Sequence, residues 1–141
     1  MELRNIIRGF AGHFGVRGVK ADPSGAYAFE IDDLRVSFAE AGDGRSVVTR
    51  SAIAVLPSAG LERVLRMLLE SSGTHAAVFS IEPGGSRLFL RRTDDLDRLD
   101  LERFEANLES FLGTAHAWRR LLAGYEAVQS AQAGKGDSNG L

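Results

Sequence analysis

A chain of 141 residues is the length of one ordinary domain, and 44% hydrophobic with 26% charged residues describes a packed globule rather than a disordered chain. The 17 Lys and Arg against 19 Asp and Glu leave a net charge of −2, so no global field draws the protein to nucleic acid or to an anionic membrane surface. The absence of cysteine excludes disulfides, a thiol nucleophile and Cys-rich zinc arrangements, and suits a reducing, cytoplasmic setting.

Leu3, Ile6, Ile7, Phe10 and Phe14 recur at helical spacing with Arg4, Asn5 and Arg8 between them, which predicts an amphipathic first helix ended by Gly12 and Gly15. Glu2, Arg4, Asn5, Arg8 and His13 interrupt any apolar run long enough for a signal peptide or a membrane span. Asp22-Pro23-Ser24-Gly25 carries Pro and Gly where a β-turn wants them. Tyr27, Phe29 and Ile31 then alternate with polar or small residues, Asp32-Asp33 breaks the pattern, and Leu34, Val36 and Phe38 resume it, predicting a hairpin. A turn at 41–44 leads to a third strand over 46–56, rich in β-branched residues.

Pro57 ends that strand, and Ser58 can cap a second helix with apolar positions Leu61, Val64, Leu65, Leu68 and Leu69. Residues 76–81 and 87–92 predict a second hairpin about the turn Glu82-Pro83-Gly84-Gly85. From the N-cap candidate Asp100, a stripe of Leu101, Phe104, Leu108, Phe111, Ala115, Trp118, Leu122 and Tyr125 alternates steps of three and four, the strongest periodic signal in the chain. The expected fold is α+β, in the order α-β-β-β-α-β-β-α, with an antiparallel twisted sheet flanked by helices. Residues 1–132 form one domain on this reading, and the Gly-rich 133–141 a flexible C-terminal tail.

Chemistry is hard to find. His13, His75 and His116 fall in different elements without HxxxH or HExxH spacing, so no metal site is expected. The carboxylate pairs Asp32-Asp33, Asp94-Asp95 and Glu102-Glu105 fall in turns or on exposed helix faces, where solvent leaves a carboxyl little reason to shift. No serine lies in a GxSxG elbow, and Gly134-Lys135-Gly136-Asp137-Ser138 lacks the order and the strand-to-helix setting of a phosphate loop. Scattered basic residues such as Arg17, Lys20, Arg91 and Arg119 have no aromatic platforms beside them. The reading is a binding protein, with no catalytic residue, cofactor or metal. A small-ligand or enzyme site assembled from separated residues in a concave sheet is a third possibility that no spacing motivates.

The connector Gly15-Val16-Arg17-Gly18-Val19, the turn Asp22-Pro23-Ser24-Gly25 before the strand Tyr-Ala-Phe-Glu-Ile-Asp, and the closing Phe111, Ala115 and Trp118-Arg119-Arg120-Leu121 resemble class I type III secretion chaperones of the Tir-chaperone kind. The resemblance spans roughly residues 1–127. It implies a cytoplasmic homodimer that binds a secreted effector near the effector's N-terminus and keeps it export-competent without ATP. It places the substrate-protein patch on Leu3, Ile6, Ile7, Phe10, Phe14, Val36 and Phe38, and the dimer surface on Leu61, Val64, Leu65, Leu68, Phe79 and Phe89. For each of these residues simple core packing is the competing role. The alternative function is that of a YbjN-like regulatory or adaptor protein of the same fold acting on cytoplasmic protein partners.

Overall fold

The computed structural model describes residues 2–15, 19–55, 66, 77–81 and 86–139, with side chains through Gly124 in the last helix. Helix α1 (Leu3–His13) buries Leu3, Ile6, Ile7, Phe10 and Ala11 along one face, the i, i+3, i+4, i+7 pattern of an amphipathic helix. Its end is where the glycines predict it. Phe14 N–H donates to Ala11 O and Gly15 N–H to Gly12 O, and Gly15 takes the left-handed conformation at φ 70° that an L side chain resists.

The turn before the sheet is organised by Asp22, whose Oδ1 accepts from the Ser24 hydroxyl at 2.6 Å, Ser24 N–H at 2.9 Å and Ala26 N–H at 3.0 Å. The Ser24 hydroxyl first, then the Ala26 amide, holds the Asp22 carboxyl below its ordinary range. Strands β1 (Tyr27–Ile31), β2 (Leu34–Glu40) and β3 (Ser46–Val55) follow as an antiparallel meander. Strands β4 (Ala77–Ile81) and β5 (Arg87–Asp95) pair with each other, and β5 pairs with β3, giving the order β1-β2-β3-β5-β4. Strand β5 runs three residues past its expected end at Arg92, because Ser46, Val47 and Val48 offer partners to Asp95, Asp94 and Thr93.

Alternation assigns the two faces. Leu34, Val36 and Phe38 of β2, Val47 and Ile53 of β3, and Leu88 and Leu90 of β5 are buried beneath the helices. Ser51 is buried among them and its hydroxyl donates to Arg35 O at 3.0 Å, so the polar group carries no unpaired penalty. At the far end of β5, Arg92 Nε donates to both Asp94 carboxylate oxygens at 3.1 Å, and Asn107 of the last helix donates to Asp94 at 3.3 Å.

A short 3₁₀ turn (Leu96–Arg98) leads to α2 (Leu101–Asn139). Asp100 is the N-cap that the sequence predicts: its carboxylate accepts from Arg103 N–H at 2.7 Å and its carbonyl from Phe104 N–H at 2.9 Å. Phe104, Leu108, Phe111, Ala115 and Leu122 of the stripe are buried. Gly9 lets α1 lie close to the start of α2, since a Cβ there would meet Leu101 Cδ2 at 2.9 Å. The α2 backbone is helical through Asn139, into the segment that composition assigns to a tail, and Ala127, Ala131 and Ala133 are the strong helix formers that carry it there. The predicted second helix lies outside the described residues except for Arg66, which is helical.

The centre of the core is aromatic. Phe38 packs its ring 6.2 Å from Phe10, 6.0 Å from Phe29 and 5.1 Å from Phe104, and is fully buried. Phe38→Ala should therefore lower stability by about 3–5 kcal/mol, measured as a shift in the urea midpoint. Asp100→Ala removes the α2 cap and should cost about 1 kcal/mol by the same measurement.

Candidate functional site

Where α1 ends, the core does not close. Phe10 is buried, but Phe14, one turn on, is 67% exposed, with its ring 5.0 Å from that of Phe10. Opposite stands the tip of the β1–β2 hairpin, Ile31 and Asp32, and along the base runs the α2 segment from Glu105 to His116. Together they enclose a groove of about 530 Å³. Its apolar lining is Phe10, Phe14, Ile31, Leu108 and Leu112.

The hairpin tip is held rigidly. Asp32 and Asp33 both have positive φ, 49° and 66°, the conformation of a two-residue type I′ turn, and Ile31 pairs directly with Leu34 across it. Arg119 of α2 donates through Nη1 to Asp33 O at 2.8 Å, tying the tip to the helix. On the other side of the groove, His13 Nδ1 and Glu105 Oε1 lie 2.5 Å apart and tie the end of α1 to α2. Gly113 contributes no side chain to the groove, and a Cβ built there would meet nothing within 4 Å.

The rim is acidic. Asp32, Glu105 and Glu109 line the groove, and among the described residues no Lys or Arg does. Basic residues gather instead in a smaller pocket beyond the hairpin tip, lined by Arg35, Arg87 and Arg119.

The structure separates the seven residues expected to form the substrate patch. Leu3, Ile6, Ile7, Phe10, Val36 and Phe38 are at most 3% exposed and belong to the core under α1 and α2; Phe14 alone presents its surface. The physical reason is that α1 covers a sheet whose facing strands, β1 and β2, bring Phe29, Val36 and Phe38 up against it, so the apolar face of the helix is consumed by packing. Of the other groove residues, the sequence reads Leu108 as part of the helical stripe, Glu105 as an exposed carboxylate and His116 as a histidine without metal-site spacing, and it singles out none of Leu112, Gly113 and Glu109. A signal exists: taking Leu108 as zero at 100° per residue, Leu112 lies about 40° round the helix and Glu105, His116 and Glu109 about 60°, 80° and 100°. Leu112 thus widens the buried stripe on one side only, directly beside two carboxylates.

Of the residues expected at a dimer surface, Leu61, Val64, Leu65 and Leu68 lie outside the described residues. Phe79 and Phe89 are both half-buried but on opposite faces of the sheet. Phe79 stacks edge-on against Trp118 of α2 at 5.0 Å, whereas Phe89 carries the Arg50 guanidinium 3.7 Å above its ring on the face away from the helices.

Among the described residues no group of three or more His, Asp or Glu side chains is placed to hold a metal ion, and no helix is long and apolar enough to cross a membrane. The groove presents apolar surface beside three carboxylates.

The fold is shared with several solved structures. The chain superposes on a protein from the ExsC–ExsE complex with a TM-score of 0.72 at 22% identity, covering 86% of this chain and 96% of that one. It superposes on one from the HopA1–SchA chaperone–effector complex with a TM-score of 0.69 at 9% identity, covering 83% and 92%. The Yersinia pestis type III secretion chaperone SycH, solved with a fragment of YscM2, gives a TM-score of 0.58 at 19% identity, covering 80% and 96%. Comparison with curated protein sequences finds no match. The family model for the Tir chaperone protein (CesT) family matches residues 5–119, most of the chain, and the protein belongs to that family.

Proposed function

We propose that the protein is a homodimeric, cytoplasmic type III secretion chaperone that holds the N-terminal region of a secreted effector in an export-competent state, by binding alone and without ATP. The observation that carries this reading is the open apolar groove at the end of α1, in a chain of the Tir chaperone family. The solved relatives support it, since one is described as a chaperone–effector complex and another as a type III secretion chaperone bound to a fragment of a second protein.

The work asked of the protein is physical rather than chemical. An effector segment with exposed apolar side chains would aggregate or collapse; seating those side chains against Phe14, Ile31 and Leu112 removes them from water while leaving the rest of the segment extended. Strand β1 is an edge strand beside the groove, so main-chain pairing along Tyr27–Ile31 can add sequence-tolerant hold to the side-chain contacts. The dimer surface is assigned to Leu61, Val64, Leu65, Leu68, Phe79 and Phe89, with Phe79 reached through the Trp118 end of α2.

Light scattering should give twice the mass of the chain, and co-expression with the candidate effectors of the native organism should yield a complex in which proteolysis spares the effector's N-terminal segment. A monodisperse monomer that retains no such effector overturns the proposal. Phe14→Ser combined with Leu112→Ser should reduce effector capture by at least about tenfold, the loss of two anchors, with stability lowered by no more than about 1–2 kcal/mol because neither side chain is in the closed core. The triple variant Leu3→Ser, Phe10→Ser, Phe38→Ser should instead unfold, as read by circular dichroism.

A further inference from the structure

The acidic rim gives the groove a preference in what it binds. We propose that the groove takes a segment of the secreted partner whose large apolar side chains are flanked by lysines or arginines, with Asp32, Glu105 and Glu109 reading the flanking charge. This deepens the chaperone reading and rests on it.

Three observations converge on that occupant. The whole chain is close to neutral, 17 basic against 19 acidic residues, so a groove lined by three carboxylates and, among the described residues, no Lys or Arg is a local concentration rather than a reflection of overall charge. The carboxylates bracket the apolar floor: Asp32 stands on the hairpin tip, and Glu105 and Glu109, one turn apart on α2, stand beside Leu112. Among the described residues, Arg119 donates to Asp33 O and lines the second pocket with Arg35 and Arg87, and His116 is the one imidazole that lines the groove itself. The nearby imidazole of His13 engages Glu105 alone, leaving Asp32 and Glu109 without a hydrogen-bond partner among the described side chains. An acidic segment entering the same floor would meet like charge on both walls, so the rim rejects as well as attracts.

The test uses the full chain and two labelled synthetic peptides that share one set of Leu and Ile residues and differ only in carrying Lys or Glu beside them, with binding read by fluorescence anisotropy. The Lys-flanked peptide should bind about tenfold tighter or more at 50 mM salt, and the advantage should shrink to about threefold at 300 mM as screening shortens the reach of the carboxylates. The double variant Asp32→Asn, Glu109→Gln, which leaves the His13–Glu105 bridge in place, should bring the ratio to about twofold without altering the thermal melt of the protein. Gly113→Leu, which fills open space, should weaken both peptides together and so locate them in the groove. Equal affinities, failure of both peptides to bind, or a preference that survives the double variant would each overturn the inference. A photocrosslinker at position 14 separates this outcome from the chaperone reading: an effector that is captured, but through a segment with no basic residue beside its apolar anchors, overturns the charge preference and leaves the chaperone function standing.

Discussion

Three rings, one from each of three elements, hold this domain in register. Phe10 comes from α1, Phe38 from β2 and Phe104 from the first turn of α2, and their centroids lie 5.1 to 6.2 Å apart. Edge-to-face packing at that spacing is directional, so the cluster sets where along its axis α1 meets the sheet as well as how closely. With Phe10 locked over Phe38, the next apolar position of the helix, Phe14, is carried about 6 Å further along the axis. It passes the end of the buried stripe, with its ring 5.0 Å from that of Phe10 behind it. The exposure of Phe14 is a consequence of the core, and so is the groove that it lines.

The opposite wall depends on a turn of another kind. Two consecutive aspartates with positive φ are unfavourable as bare backbone, though Asp tolerates that region better than most residues, and here the turn lets β1 and β2 pair up to Ile31 and Leu34 with no slack. Arg119 then fastens the Asp33 carbonyl to α2. Both sides of the groove are thereby braced against the same helix, by Arg119 at the hairpin and by His13 with Glu105 at α1. A groove so braced would lose less entropy on occupation than one that must first be ordered.

The sequence carried the fold well because most of its signals are local. The α1 stripe, the alternation through Phe29, Val36 and Phe38, the Asp22 turn and the Asp100 cap each follow from spacing within a few residues, and each element stands where its pattern puts it. The residues of the candidate groove are harder to read for the opposite reason. An apolar side chain such as Ile6 or Val36 reads the same whether it faces a core or a partner, and the distinction lies in how many strands arrive to cover it. Phe14 was legible only as one of a set, and Leu112 was hidden because the regular three-four stripe of α2 passes it by. Gly113 carried no signal at all, since an open space is defined by its neighbours. The reach of α2 to Asn139 was also beyond composition, which weighs the glycines of that stretch and not the helix already running into it.

The groove's dimensions bound how such a protein can work. Burying two aliphatic side chains is worth about 2 kcal/mol each, about 4 kcal/mol in all, which is no more than the cost of association, so the apolar floor alone holds a segment at millimolar affinity or weaker. A long-lived complex then needs the segment to continue beyond the groove, onto the β1 edge or across a second protomer, adding many weak contacts in series. That division has a functional consequence. When no single contact dominates, a partner can be peeled away from one end, each step breaking a bond of a few kcal/mol at most, and release needs only a competing grip on the freed segment. Weak, distributed holding is thus the arrangement that allows a bound chain to be handed on without a nucleotide cycle in the protein that held it.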